Sequence, residues 1–390
     1  MQKVIAWTTG TGNITLTYTG QGNDTVDVSS DANNLSTSRS QTITVKTTDN
    51  SITRQVTVVQ AAAVIRNDNY LNFTALEAST ISMTSTLATQ PTLSYSKNLQ
   101  TWVTFDANTT ISLNAGELVY LKGSNNTLGT ATSKYTKFAM TGRIEAHGNI
   151  MSLLYGDNAD GQLTIPANYC FYRLFYQCPS LVTAPELPAT TLKQRCYMSL
   201  FDETSITIPP VLPATTMQTY CYFYMFRRTP LSTCPELPAT TLADRCYANM
   251  FSYCENIKTP PILPVTTLVQ YCYTGMFSYS GLTSAPELPA TTLQTGCYSA
   301  MFGHCTSLAT APVLPATTLV SQCYTQMFDG CTNLNYIKAM FTTTPKTTYS
   351  NNWVRGVAAS GTFVKNSAAA WTDVGIYAVP SGWTVQTASS

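Results

Sequence analysis

The sequence predicts a mainly β protein: two small β-sandwich modules, then a solenoid of about seven short coils, then a carboxy-terminal cap. Three observations lead there. Residues 1 to about 62, and again 63 to about 150, run in short alternating or apolar stretches separated by turn-type residues. From about residue 163 the sequence repeats every 25 or 26 positions, and after residue 338 the repeat stops. The implied segments are 1–62, 63–150, 151–338 and 339–390.

In the first segment, Asn13 to Tyr18, Gln41 to Lys46 and Arg54 to Gln60 alternate apolar and polar residues. Period two with Gly, Asn and Asp between the runs is the pattern of half-buried antiparallel strands. The second segment continues with Tyr70 to Leu76, Thr92 to Ser96, Thr101 to Phe105 and Leu118 to Lys122, a second sandwich. Gly148 to Asp157 is apolar enough to be buried and forms the joint to the repeats.

The repeat reads Leu-Pro-Ala-Thr-Thr-Leu, then Cys-Tyr, then Met-Phe. Cys recurs at 170, 196, 221, 246, 272, 297 and 323, with Phe five residues after each. A unit of this length cannot bury its own apolar face, so the copies must stack on one core. The residue before each Leu-Pro alternates as Glu186, Val211, Glu236, Ile262, Glu287, Val313, a second-order period of two coils. If these side chains leave a sheet face, successive Glu lie roughly 10 Å apart, which relieves repulsion and also offers a candidate binding stripe. The tail, with Trp353, Trp371 and Trp383, is expected to cover the open end of the stack.

Composition narrows function. Lys plus Arg number 21 and Asp plus Glu 20, a net charge of +1 with 11% charged residues. That argues against a dedicated nucleic-acid binder, which needs clustered cations, and against an acidic solvating tail. No apolar run reaches membrane-helix length, so no membrane insertion is expected, and the ten residues from Met1 contain no apolar leader. Either Met1 is native and the protein leaves its cell by another route, or Met1 replaces a removed signal.

Cysteine, histidine and acidic residues carry no recognisable chemistry. The second Cys of the repeat, at 178, 254, 305 and 331, becomes Thr204, Thr229 and Ser280 elsewhere, which obligatory disulfides would not tolerate. Reduced buried columns are expected, with some disulfides the alternative. The spacing fits no zinc quartet, and Asp157 to Gly161 carries Ala159 where a calcium loop needs a ligand, so no metal and no cofactor are expected. His147 and His304 lack triad partners, and no catalytic motif appears. The column after each Cys, Phe171 and then Tyr197, Tyr222, Tyr247, Tyr273, Tyr298 and Tyr324, is either core packing or a recognition surface. A helical turn through Cys-Tyr-x-x-Met-Phe would put Tyr beside Phe.

Met-Phe-x-x-Cys-Thr-x-Leu, at Met301 to Leu308 and Met327 to Leu334, resembles the signature of BspA-like leucine-rich repeats, whose strand and following turn Pro-x-Leu-Pro-Ala-Thr-Thr-Leu fits. The unit is slightly longer than that family's, and Met-Phe replaces Ala-Phe. The last runs of the first segment, closing on Val58-Val59-Gln60-Ala61-Ala62, resemble the second half of a BACON domain, an immunoglobulin-like module. Both resemblances are to proteins of gut Bacteroidetes and their phages, crAss-like phages included. They imply a non-enzymatic adhesion protein, a virion appendage at the virion surface that binds a glycan or protein of the host cell, beside other virion proteins and as a candidate homo-oligomer. The alternative is a bacterial cell-surface adhesin or glycan-binding lipoprotein. Glu186, Glu236, Glu287 and the Tyr column are the candidate binding residues.

Overall fold

The computed structural model describes residues 2–6, 13–18, 26–30, 39–46, 53–60 and 66–388, and it is mainly β. The chain divides once, into Met1–Asn67 and Asp68–Ser390. In the first unit β1 (Gln2–Ala6), β2 (Asn13–Tyr18) and β3 (Val26–Ser30) form an antiparallel sheet in that order. A hairpin of β4 (Arg39–Lys46) and β5 (Thr53–Gln60) forms the other. Ile14 of the first sheet packs with Ile43 and Val58 of the hairpin. Alternation places β2 to the residue and β4 and β5 to within two; Ala61 and Ala62 lie outside the described residues.

The second unit opens with two facing sheets. One holds β10 (Ile111–Leu113), β7 (Ser79–Ser85), β13 (Lys134–Thr141) and β12 (Gly129–Ala131), in that order. The other is β14 (Ile144–His147), β6 (Leu71–Ala75), β11 (Leu118–Gly123), β8 (Leu93–Ser96) and β9 (Val103–Phe105). Phe73 and Phe105 meet Phe138 across the gap, with ring centroids 6.2 and 5.8 Å apart. A boundary near residue 150 is not what the structure shows. Phe175 of the first coil packs 5.6 Å from Phe138, and the backbone of β13 and β14 bonds to that coil, Phe138 N–H to the Leu174 carbonyl and Ile144 N–H to the Ser180 carbonyl. The facing sheets therefore close one end of the stack. The joint carries α1 (Ser152–Tyr155), which buries Leu153 and Leu154. Asp157 accepts hydrogen bonds from Lys122 Nζ at 2.7 Å and the Tyr70 hydroxyl at 2.8 Å.

The Cys-Tyr-x-x-Met-Phe segments are not helices but chains of turns with a period of four. In the Cys196 coil, N–H groups of Tyr197, Ser199, Phe201 and Glu203 donate to carbonyls of Cys221, Phe223, Met225 and Arg227 in the next coil. Between them, Cys196, Met198, Leu200 and Thr204 donate three residues back within their own coil. Alternate amides thus bind along and across the stack. Residues 1 before, 3 after and 7 after each Cys hold positive φ, as at Arg195, Ser199 and Glu203. That conformation turns the chain every fourth residue, at a steric cost of about 1–2 kcal/mol for a residue with a side chain. Pairs of side chains then point inward, as Cys246-Tyr247 and Met250-Phe251 do, followed by Cys254, each fully or almost fully buried.

The proline-bearing side of the coils forms no strand. A Leu-Pro pair withholds an N–H from any ladder, and Pro is confined to sheet edges for that reason. Isolated parallel bridges, such as Thr191 to Thr216, Thr216 to Thr241 and Thr267 to Thr292, are what remain of the expected strands. Where proline gives way, in β15 (Tyr336–Ala339), β16 (Thr362–Lys365) and β17 (Thr384–Thr387), a parallel ladder forms. The segment after 338 therefore continues the stack as well as closing it. Phe328 N–H donates to the Trp353 carbonyl, and Trp353 takes the inward place that Met holds in earlier coils.

The Cys columns are buried, as the repeat predicts, and all twelve thiols are free. Their interchange with Thr and Ser has a physical reason. The second position donates to a Phe carbonyl, from Thr229 to Phe226 at 2.7 Å, and from Cys254 and Cys305 to Phe226 and Phe277 of the preceding coil at 3.0 Å. Any small donor serves.

Burial pushes the Cys196 and Cys272 thiols up to about 12, so thiolate is scarce at neutral pH. Burial holds the half-buried Cys234 thiol above its ordinary range as well, so a thiol reagent at pH 8 should find few of the twelve in native protein and all twelve after denaturation; equal titration in both states would contradict this packing. Phe277 stacks 5.7 and 6.0 Å from Phe251 and Phe302 and is fully buried. Phe277→Ala should cost about 3–5 kcal/mol in chemical denaturation, with hydrogen-exchange protection lost in adjoining coils too.

Candidate functional site

Of the two sets of residues singled out from sequence, the Tyr column is not a surface. Tyr197, Tyr222, Tyr247, Tyr273, Tyr298 and Tyr324 are at most 2% exposed and stack from coil to coil with centroids 5.9–6.3 Å apart. Period-four turns put them on the inward side beside Cys, so they pack the core and reach no partner. Burial pushes their phenols well above the ordinary range, as at Tyr222 and Tyr273. The hydroxyls of Tyr197, Tyr247 and Tyr324 are buried without a hydrogen-bond partner.

Glu186, Glu236 and Glu287 are exposed. They stand on the proline side, alternating with Val211, Ile262 and Val313, which are 80%, 82% and 49% exposed. Because the prolines prevent a ladder, neighbouring coils leave grooves between them, and the same groove occurs three times. The first is lined by Pro185, Glu186, Pro188, Pro210, Val211 and Pro213. The second is lined by Pro235, Glu236, Pro238, Pro260, Ile262 and Pro264, the third by Pro286, Glu287, Pro289, Pro312, Val313 and Pro315. Their volumes are about 320, 480 and 330 Å³, the middle one enlarged where the longer coil adds Pro261 to the wall. Burial and the neighbouring Asp68 raise the Glu186 carboxyl above the ordinary range. Each groove sets a carboxylate acceptor beside an apolar wall.

Sequence reasoning missed the outward side of the turns. The positive-φ positions form columns there. Counting from one before each Cys, the first runs Tyr169, Arg195, Tyr220, Arg245, Tyr271. Its guanidinium carbons lie over ring faces: Arg195 is 5.3 and 4.5 Å from the Tyr169 and Tyr220 centroids, Arg245 5.5 and 4.1 Å from Tyr220 and Tyr271. The Tyr271 ring then lies over Gly296, where an added Cβ would come within 2.2 Å of it. The column seven after each Cys carries Arg228 over Tyr253 at 4.9 Å, Tyr253 on Tyr279 at 4.4 Å and Tyr279 on His304 at 4.2 Å. His304 thus ends an exposed ring stack. One signal was available: Gly275, Gly296 and Gly330 fall at the three turn positions, where glycine is the residue best suited to positive φ.

No family model, no curated protein and no solved structure matches the chain. Among the described residues no group of three or more His, Cys, Asp or Glu could hold a metal ion, and no helix is long and apolar enough to cross a membrane.

The buried Tyr column makes an asymmetric prediction. Tyr247→Phe removes a hydroxyl that has no partner and should leave stability unchanged or raise it by about 1–3 kcal/mol. Replacing Tyr247, Tyr273 and Tyr298 together by Ser should leave no cooperative melting transition. A folded triple variant that melts normally would show that these rings are not core.

Proposed function

We propose that the chain is a non-catalytic adhesion protein that binds saccharides of a bacterial cell surface through the proline side of its coils. The observation carrying this reading is the threefold repetition of one groove, with Glu186, Glu236 and Glu287 at equivalent places. A carboxylate accepts hydrogen bonds from sugar hydroxyls, while proline rings and Val or Ile side chains cover the apolar C–H face of a ring. Each groove alone is a weak site. Three on one rigid stack convert weak contacts into avidity, provided the ligand repeats on a matching scale.

The fold in this reading is two immunoglobulin-like sandwiches, the first BACON-like, followed by a BspA-like leucine-rich-repeat solenoid. A virion appendage of a phage infecting gut Bacteroidetes is the setting these resemblances favour. The second sandwich supports the solenoid by closing one end of it, as Phe138 and Phe175 do where they meet.

The test combines binding with composition. Labelled protein should attach to Bacteroidetes cells, and Glu186→Gln, Glu236→Gln and Glu287→Gln together should reduce attachment about tenfold or more, each exchange removing a charged acceptor. Melting should not change, because these side chains are exposed. Unchanged attachment by the triple variant would remove the grooves from function, and turnover of the bound glycan would refute a non-catalytic role. Mass spectrometry of purified virions should contain the chain; recovery from bacterial outer membranes instead would place it on the cell.

A further inference from the structure

We infer that the outward side of the turns carries a second binding site, a cation–π ladder that takes an acidic polysaccharide. It rests on residues separate from the proline-side grooves. From the facing sheets into the coils, cations lie over rings in two runs that join through one ring-to-ring contact at the buried Tyr172. Lys137 lies 5.1 Å from the Tyr176 ring, Arg173 lies 4.6 and 5.2 Å from Tyr176 and Tyr172, and Tyr172 meets Tyr169 edge-on at 5.8 Å. Arg195 and Arg245 then continue between Tyr169, Tyr220 and Tyr271.

Four cations thus lie over rings, Arg195 and Arg245 in one column and Arg173 and Lys137 beside its start, and their counter-charges are few. Asp244 pairs with Arg245 at 2.8 Å, while among the described residues no carboxylate forms an ion pair with Lys137, Arg173 or Arg195. The Arg173 Nε is buried without an acceptor. Guanidinium groups held over a ring on each side, as Arg195 is between Tyr169 and Tyr220 and Arg245 between Tyr220 and Tyr271, have less freedom to lose on binding, and the guanidinium fork suits carboxylates.

The same geometry selects among anions. Single-stranded nucleic acids bind by stacking bases on aromatic faces, but here the Tyr220 ring has a guanidinium on it from each neighbouring coil, so a base has no free face there. Successive arginines, Arg195 and Arg245, are two coils apart, roughly 10 Å, with a phenol between them. A chain of acidic sugars presents carboxylates at intervals, and its intervening hydroxyls match the phenol edges.

The test uses the full chain with polygalacturonate, neutral dextran, poly-glutamate and single-stranded DNA as probes. Polygalacturonate should bind, weaken as salt rises, and lose about tenfold or more affinity in Arg195→Gln/Arg245→Gln, while dextran should not engage this site. Lys258→Gln/Lys346→Gln, which removes equal charge elsewhere, should bind like the parent chain. Asp244→Asn, which frees Arg245, should bind more tightly. Should the glutamine variant melt early, Arg195→Lys/Arg245→Lys retains charge without the planar guanidinium and should still lose affinity at low temperature. Equal affinity in parent and arginine variants overturns the proposal, and so does tighter binding of poly-glutamate or DNA than of polygalacturonate. The Glu186→Gln, Glu236→Gln, Glu287→Gln chain should bind polygalacturonate at least as well as the parent chain, so this site can stand or fall without the grooves.

Discussion

Everything in the coils depends on how the turn segments distribute their amides. Each second N–H closes a turn within its own coil, and each intervening one crosses to the next coil, so one short segment satisfies its backbone and binds its neighbour at once. The alternation requires a reversal every fourth residue, supplied by residues at positive φ. The cost of holding Arg, Tyr and Gln there is offset by a ladder that repeats from Tyr169 to Gly356. It is also why the inward side chains come in adjacent pairs, Cys with Tyr and Met with Phe.

Two surfaces with opposite chemistry arise from that one device. On the turn side, columns of equivalent positions bring outward side chains within stacking distance, so Arg and Tyr layer into a ladder at the start of the stack and rings stack on rings further along. On the proline side the missing amide hydrogens keep neighbouring coils from zipping together, and grooves remain. The period of two coils serves both surfaces. Glu alternates with Val or Ile in the grooves, and Arg with Tyr from Tyr169 to Tyr271 in the column one before each Cys, so within each of these columns like charges do not fall on adjacent coils.

Both ends are covered by elements that share the core. The facing sheets offer β13 and β14 to the first coil, and Phe73, Phe138 and Phe175 form one aromatic cluster. At the other end Trp353 lies against Tyr324, Phe328 and Phe341, and Trp371 stacks on Phe341 at 5.2 Å. Large rings fill the space where the repeat loses its regular Cys-Tyr and Met-Phe pairs.

The sequence by itself determined three strands of the first unit, β2, β4 and β5, the repeat and its register, and the burial of the Cys and Phe columns. Those come from periodicity, and periodicity is local. It did not decide the path of the backbone within a coil, because a spacing of four between Tyr and Phe suits a helical turn and a chain of period-four turns alike. Only stacking distinguishes them, since the crossing hydrogen bonds need a neighbour 24 residues on, such as Cys221 for Tyr197. That same path sent the Tyr column inward and brought Arg195 between Tyr169 and Tyr220, residues 26 before and 25 after it in the chain. Contacts between coils are long-range in sequence, so the second candidate surface existed only once the coils were stacked.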